Sequence, residues 1–235
     1  VGELSDRRAR KKAQTRELIR RTAQDLFAER GFEAVTIADV AAAADVAVQT
    51  VFNHFATKED LFFDGRTPWV EGAAAAVRTR PPAVPPLTAL RGYLVELVAG
   101  QVGADGDPEQ RCYLATIGAS PALLAREREL VHEAECRLAE ALAQAWSADA
   151  APVDAGPAST DPATAAALTA ATWLAVPRVL LTGRRTEAAN DTDDAAIVPL
   201  TEMMLIQLEQ GLRPLHGAPP RSPDAGSPRG VRQAG

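Results

Sequence analysis

The chain has 235 residues, of which 46% are hydrophobic and only 5% aromatic, with a net charge of −6. That apolar fraction excludes global disorder and suffices for a packed core, while the acidic balance excludes a protein coated all over with nucleic acid. Ala dominates and β-branched runs are short, which favours an all-α fold.

The charge is unevenly spread. The first sixty residues are neutral, with ten basic and ten acidic side chains, so the whole excess lies beyond them. Between Arg7 and Arg21 stand eight basic residues and one acid, Glu17. A basic end on an acidic body is the layout of a local phosphate-binding surface. No apolar run is expected to reach the roughly 18 residues of a membrane span, and the start is charged. A soluble, cytoplasmic protein without membrane contact is therefore expected. Cys112 and Cys136 form no ligand spacing and read as small buried residues.

In chain order, residues 1–11 read as a basic flexible arm. A helix is expected from about Lys12 to Arg30, with Ile19, Ala23, Leu26 and Phe27 at helical spacing. Gly31 suits the left-handed residue past its end. Thr36 and Asp39 have capping-box spacing and open a short helix with Val40 and Ala41 inside. Asp45 breaks it, and a third helix is expected over Val48–Phe55. Thr57 to Asp60 repeats the cap and opens a fourth helix, disturbed near Gly65 and Pro68. Further helices are expected over about 87–102, 108–118, 121–146, 162–182 and 194–212. Ser120-Pro121 and Asp161-Pro162 supply cap-plus-proline starts. The tail from Pro214 is rich in Pro and Gly and is expected to be disordered.

The stretch Thr36 to Phe55 carries the functional signal. On a wheel of the third helix, Val48, Val51, Phe52 and Phe55 share one arc, which is expected to be buried. Gln49, Thr50, Asn53 and His54 fill the opposite arc. These are hydrogen-bonding side chains without a carboxylate that DNA phosphates would repel. Gln and Asn donate and accept at once, as reading adenine in the major groove requires.

Residues 16–62 closely resemble the N-terminal domain of TetR-family repressors. The resemblance rests on Leu26 to Phe32, Thr36 to Ala41, Thr50 to Phe55 and Thr57 to Leu61, in ungapped register. It implies a three-helix helix-turn-helix DNA-binding domain, over 12–66, followed by a helical ligand-binding and dimerisation domain over 67–213. It also implies roles for single residues. Thr36, His54 and Lys58 would meet phosphates, Gln49, Thr50 and Asn53 would face the groove, and Phe52 and Phe55 would be core. Val46 and Ala47 stand where further contacts are made. Two departures are visible. Asp45 replaces the usual Gly of the turn, and Ala47 replaces a Ser that would cap the third helix.

Elsewhere, His54, His132 and His216 have no metal-ligand spacing, and no nucleophile–base arrangement or phosphate loop is legible. No cofactor and no enzymatic activity are expected. Trp69, Tyr93, Gln101, Tyr113, Trp173 and Arg178 are candidate effector contacts, being ring or polar residues on helices of the second domain. The expected function is a DNA-binding regulator, a repressor released from a palindromic double-stranded operator by a small molecule. It would act as a homodimer in the cytoplasm, on the nucleoid when bound. The alternatives are a helical interaction protein with a degenerate head and an enzyme with a DNA-binding appendage.

Overall fold

The computed structural model describes residues 2–104, 107–149, 161–186 and 194–212. Of the loops expected at 148–160 and 186–193, residues 148–149 and 186 are helical, and the rest lies outside the described residues, as does the expected tail from 214. Among the described residues the chain is all-helical, with ten helices: α1 (Gly2–Arg30), α2 (Ile37–Ala43), α3 (Val48–Phe52), α4 (Lys58–Phe63), α5 (Trp69–Arg78), α6 (Pro86–Gly103), α7 (Pro108–Ala119), α8 (Pro121–Asp149), α9 (Pro162–Thr186) and α10 (Asp194–Leu212).

Local chemistry explains most boundaries. Asp107 caps α7 through the Glu109 amide at 3.0 Å, and Asp161 caps α9 through the Thr164 amide at 3.1 Å. Each cap is followed by proline at the first helical position, where its missing N–H costs nothing. Gly31 (φ 82°) and Gly65 (φ 74°) take the left-handed conformation that stops α1 and separates α4 from α5. The expected fourth helix is therefore two helices, interrupted from Asp64 to Pro68.

The basic arm differs from expectation. Residues 2–11 are helical and continue α1, because Glu, Arg, Lys and Ala favour helix and no Gly or Pro stands between Gly2 and Lys12. Arg7, Arg8, Arg10, Lys11 and Lys12 remain exposed along it.

Two cores organise the molecule. The first joins Ile19, Phe27, Phe32, Val40, Val51, Phe55 and Phe62 of α1–α4 to Ile117, Leu123 and Leu130 of α7 and α8. The head is thus packed on the body, not strung from it. The second core lies among α5, α6, α8, α9 and α10, around Leu90, Leu94, Leu138, Leu142, Trp173 and Leu205.

Two expectations are corrected here. Cys112 and Cys136 are both exposed and free. Cys136 stands one turn after exposed His132 on the outer stripe of α8, where Ala134 and Leu138 occupy the inner one. Secondly, Pro162–Thr182 is long and apolar enough to cross a membrane by length and composition, with mean hydropathy 1.4. Thr and Pro interrupt its apolar run without adding charge before Arg178, which hides the stretch from a search for continuous apolar residues. Its inner face, with Thr169 and Trp173 fully buried, packs in the second core.

Candidate DNA interface

The head is built on α1. Ile19, Ala23, Leu26 and Phe27 form its buried stripe, and Phe32 returns to within 5.3 Å of the Phe27 ring. Thr36 then starts α2 with the expected capping box. Its hydroxyl accepts from the Asp39 amide at 3.2 Å, and the Asp39 carboxylate accepts from the Thr36 amide at 2.8 Å and hydroxyl at 2.6 Å. These hydrogen bonds hold the Asp39 carboxyl below its ordinary pKa.

The turn after α2 is a Schellman closure. The Val46 amide donates to the Ala41 carbonyl at 3.0 Å and the Asp45 amide to the Ala42 carbonyl at 3.3 Å. Asp45 has φ 52°, the left-handed conformation expected at the family's glycine position. Ala47 takes the extended N-cap conformation of α3 but offers no side-chain hydrogen bond.

The recognition helix departs from the wheel. Val51 and Phe55 are buried, whereas Val48 is 43% and Phe52 46% exposed. Phe52 is therefore not core. Helix α3 ends at Phe52, so Phe55 reaches the interior from the turn that follows. On the wheel Val51 and Phe55 lie to one side of the shared arc and Val48 and Phe52 to the other. The helix rolls the first pair inward, and the second is left at the rim. Gln49 and Asn53 are exposed and joined, Gln49 Nε2 donating to Asn53 Oδ1 at 3.2 Å. Thr50 is half-buried.

His54 is half-buried, with Nδ1 enclosed and without a hydrogen-bond partner. Burial, then Lys12 and Arg16, push its pKa below the ordinary imidazole value. Arg16, which sequence reasoning left within the basic run, organises this corner. It donates to the His54 carbonyl at 2.5 Å, pairs with Asp64 and lies 4.2 Å from the Phe55 ring centroid. A cleft of about 320 Å³ opens here, lined among others by Arg16, His54, Asp60, Asp64 and Arg126.

Lys58 is turned inward. Its ammonium donates to the carbonyls of Phe32 at 2.9 Å and Val35 at 3.2 Å. The resemblance placed it on the DNA backbone; here it ties the start of α4 to the loop before α2.

The head meets the body through specific contacts. Phe62 stacks on Tyr113 at 5.2 Å, Ser120 donates to Glu33 at 2.5 Å, and Arg126 pairs with Asp60 at 2.9 Å. None of these partners was separable by spacing, since each pairs residues more than forty positions apart.

The six candidate effector contacts do not converge on one place. Trp69 and Tyr113 pack against the first core. Tyr93 and Trp173 belong to the second, with Trp173 Nε1 buried and without a hydrogen-bond partner. Gln101 accepts from Gln110 at 3.2 Å, and Arg178 is exposed. Helical periodicity places a residue on a helix but does not fix how that helix is rolled in its bundle.

A capped helix, a left-handed turn and a second short helix with an exposed polar row define a helix-turn-helix head. Residues 19–64 match the profile of the family described as bacterial regulatory proteins, tetR family. By this head the chain is similar to the tetR family.

A curated relative, the HTH-type transcriptional regulator TcmR of Streptomyces glaucescens, is 33% identical over 142 residues. The match takes in 58% of this chain and spans 62% of the length of TcmR. Among solved structures, a TetR-family transcriptional regulator of Mesorhizobium loti superposes with TM-score 0.51 at 17% identity, over 85% of this chain and 97% of its own. The flavonoid-responsive regulator FrrA gives 0.52 at 22%, over 85% and 97%. A complex of SmeT with triclosan gives 0.51 at 18%, over 83% and 91%. At these identities the likeness is one of fold.

Proposed function

We propose that the protein is a sequence-specific, DNA-binding transcriptional regulator that represses from a palindromic operator and is released by a small molecule. The observation that carries this reading is the exposed Gln49–Asn53 row on α3, in a head whose first helix has an exposed basic segment at Arg7–Lys12. Side-chain amides read base edges, and guanidinium and ammonium groups hold phosphates. Thr36, Val46, Ala47, Thr50 and His54 complete the proposed contact surface.

The protein acts as a homodimer in the cytoplasm, on the nucleoid when bound. One five-residue recognition helix meets too few bases for useful specificity, and two of them read a palindrome. The effector domain is the body from about residue 67. Two proteins of the same fold are described with small molecules, a flavonoid and triclosan, which supports an effector of that size. A ligand that prefers the non-binding state by about 1–3 kcal/mol lowers operator affinity roughly 5–150-fold.

The test is selection of bound sequences from random double-stranded DNA by the purified chain, followed by affinity measured against salt. A palindromic winner bound with a steep salt dependence is the expected result. Equal, weak binding to all sequences would leave a helical protein whose head no longer reads DNA.

A further inference from the structure

We propose that α3 reads A·T base pairs with two parallel rows, Gln49 held by Asn53 on an adenine and the exposed Val48 and Phe52 on thymine methyl groups. This rests on the DNA-reading role proposed above and names the sequence chemistry of that site.

The first observation is what α3 lacks. From Ala47 to His54 there is no Arg, Lys, Asp or Glu. Arg and Lys make the commonest direct contact to guanine, through O6 and N7, and a carboxylate is the natural acceptor for the cytosine amino group. The surface of α3 thus omits the side chains best suited to G·C pairs.

The second is the geometry of the amide pair. Gln49 Nε2 spends one N–H on Asn53 Oδ1 at 3.2 Å. It keeps one N–H and the Oε1 lone pairs. Adenine shows an acceptor, N7, beside a donor, N6–H, in the major groove, so the remaining groups of Gln49 match it as a bidentate pair. Asn53 acts here as a positioning residue. It restricts the amide before binding, which lowers the ordering cost that a free glutamine would meet on the DNA.

The third is the apolar row one position over. Val48 and Phe52 are one turn apart and nearly half exposed, while Val51 and Phe55 close the core of the head without them. The fold has no need of these two side chains where they stand. A thymine methyl is the one apolar group on the major-groove edge of the bases, and both aliphatic and aromatic side chains pack on it. Adjacent rows on one short helix therefore meet adjacent base pairs that are both A·T.

The experiment changes the DNA first, so protein folding does not enter. The full chain selects its site, and single thymines in that site are replaced by uracil, which removes the methyl. Single adenines are replaced by 7-deazaadenine, which removes the N7 acceptor. Wild type is expected to lose roughly fourfold for a methyl under Val48 or Phe52. It is expected to lose about five- to a hundredfold at one adenine per half-site. Val48→Ala and Phe52→Ala should each abolish the sensitivity to one uracil. Gln49→Ala should abolish the sensitivity to 7-deazaadenine, and Asn53→Ala should reduce it at the same adenine, not at another. A guanine-centred half-site, indifference of wild type to uracil, or an Asn53→Ala effect at a different base pair overturns the proposal. Salt-dependent binding without base preference overturns it too and leaves DNA binding intact, whereas no binding to any DNA removes the underlying reading as well.

Discussion

The ammonium of Lys58 lies 4.1 Å from the centroid of the Phe32 ring and donates to the Phe32 carbonyl at 2.9 Å. With the Val35 carbonyl as a second acceptor, the charge is spent on the loop that delivers Thr36 to the start of α2. Lys58→Met is therefore expected to cost about 1–3 kcal/mol of stability, the range for charged hydrogen bonds lost from a partly buried site. The slope of log affinity against log salt should stay within about half a unit of wild type. A drop of about 1.8, the value for one phosphate contact from each subunit of a dimer, would show that the ammonium swings out to the DNA. Urea unfolding and a salt titration of the same variant decide between the two.

Ala47 already holds the extended conformation of an N-cap, φ −68° and ψ 146°, yet leaves the first amides of α3 without a side-chain acceptor. Ala47→Ser supplies one with no change of backbone. The expected gain is about 1 kcal/mol, a rise in melting temperature of roughly 2–4 °C for a protein of this size. Calorimetry checks it; an unchanged midpoint would mean that water already satisfies those amides equally well.

The three-helix head was legible because its signals are local. A cap at Thr36, a left-handed position at Asp45 and a second cap at Thr57 each depend on residues within four positions, and all three are present as read. Helix α1 extends ten residues before the expected start at Lys12, because a run of charges resembles a solvated loop although its residues favour helix. Phe52 was misjudged for a different reason. A wheel finds the apolar arc but not which edge of it the bundle uses. The effector contacts were least legible. Whether Tyr93 or Arg178 points inward depends on how α6 and α9 are rolled against α5, α8 and α10, and no short-range pattern encodes that. Lys58 Nζ meets the carbonyls of Phe32 and Val35, contacts between residues more than twenty positions apart that no short-range pattern encodes.

His54 gives the stability a pH dependence with a definite sign. Burial, then Lys12 and Arg16, hold the folded-state imidazole below its ordinary value, whereas the unfolded chain titrates near that value, about 6.5. Below it the unfolded state binds a proton that the folded state does not, so acid favours unfolding through this group. Its contribution is fully present above pH 6.5 or so and declines as pH falls toward the folded value. His54→Gln should therefore lose less stability than wild type between about pH 7 and pH 5.5. Parallel losses in urea unfolding at the two pH values would show that the imidazole titrates alike in both states.

The proposed dimer has two candidate contact rows on the body. Trp173 on α9 and Ile197 and Leu205 on α10 are apolar, but all three face the protein's own interior. What remains outside is a row on α9, from Leu168 (51% exposed) through Thr172 and half-buried Ala175 to Val179 (61% exposed), and a row on α10 formed by Leu200, Met203, Met204 and Gln207. Both follow the alternating four- and three-residue spacing of a single helix face. In a two-fold interface each substitution acts twice, once from each subunit. Leu168→Glu combined with Met204→Glu would place like charges across the axis and bury them without partners. The pair should yield monomers by light scattering at micromolar concentration with unchanged helical content, because neither side chain contributes to the protein's own core. Operator affinity should fall with it, since the two heads would then bind their half-sites independently. A variant that remains dimeric would place the interface on another face of the body.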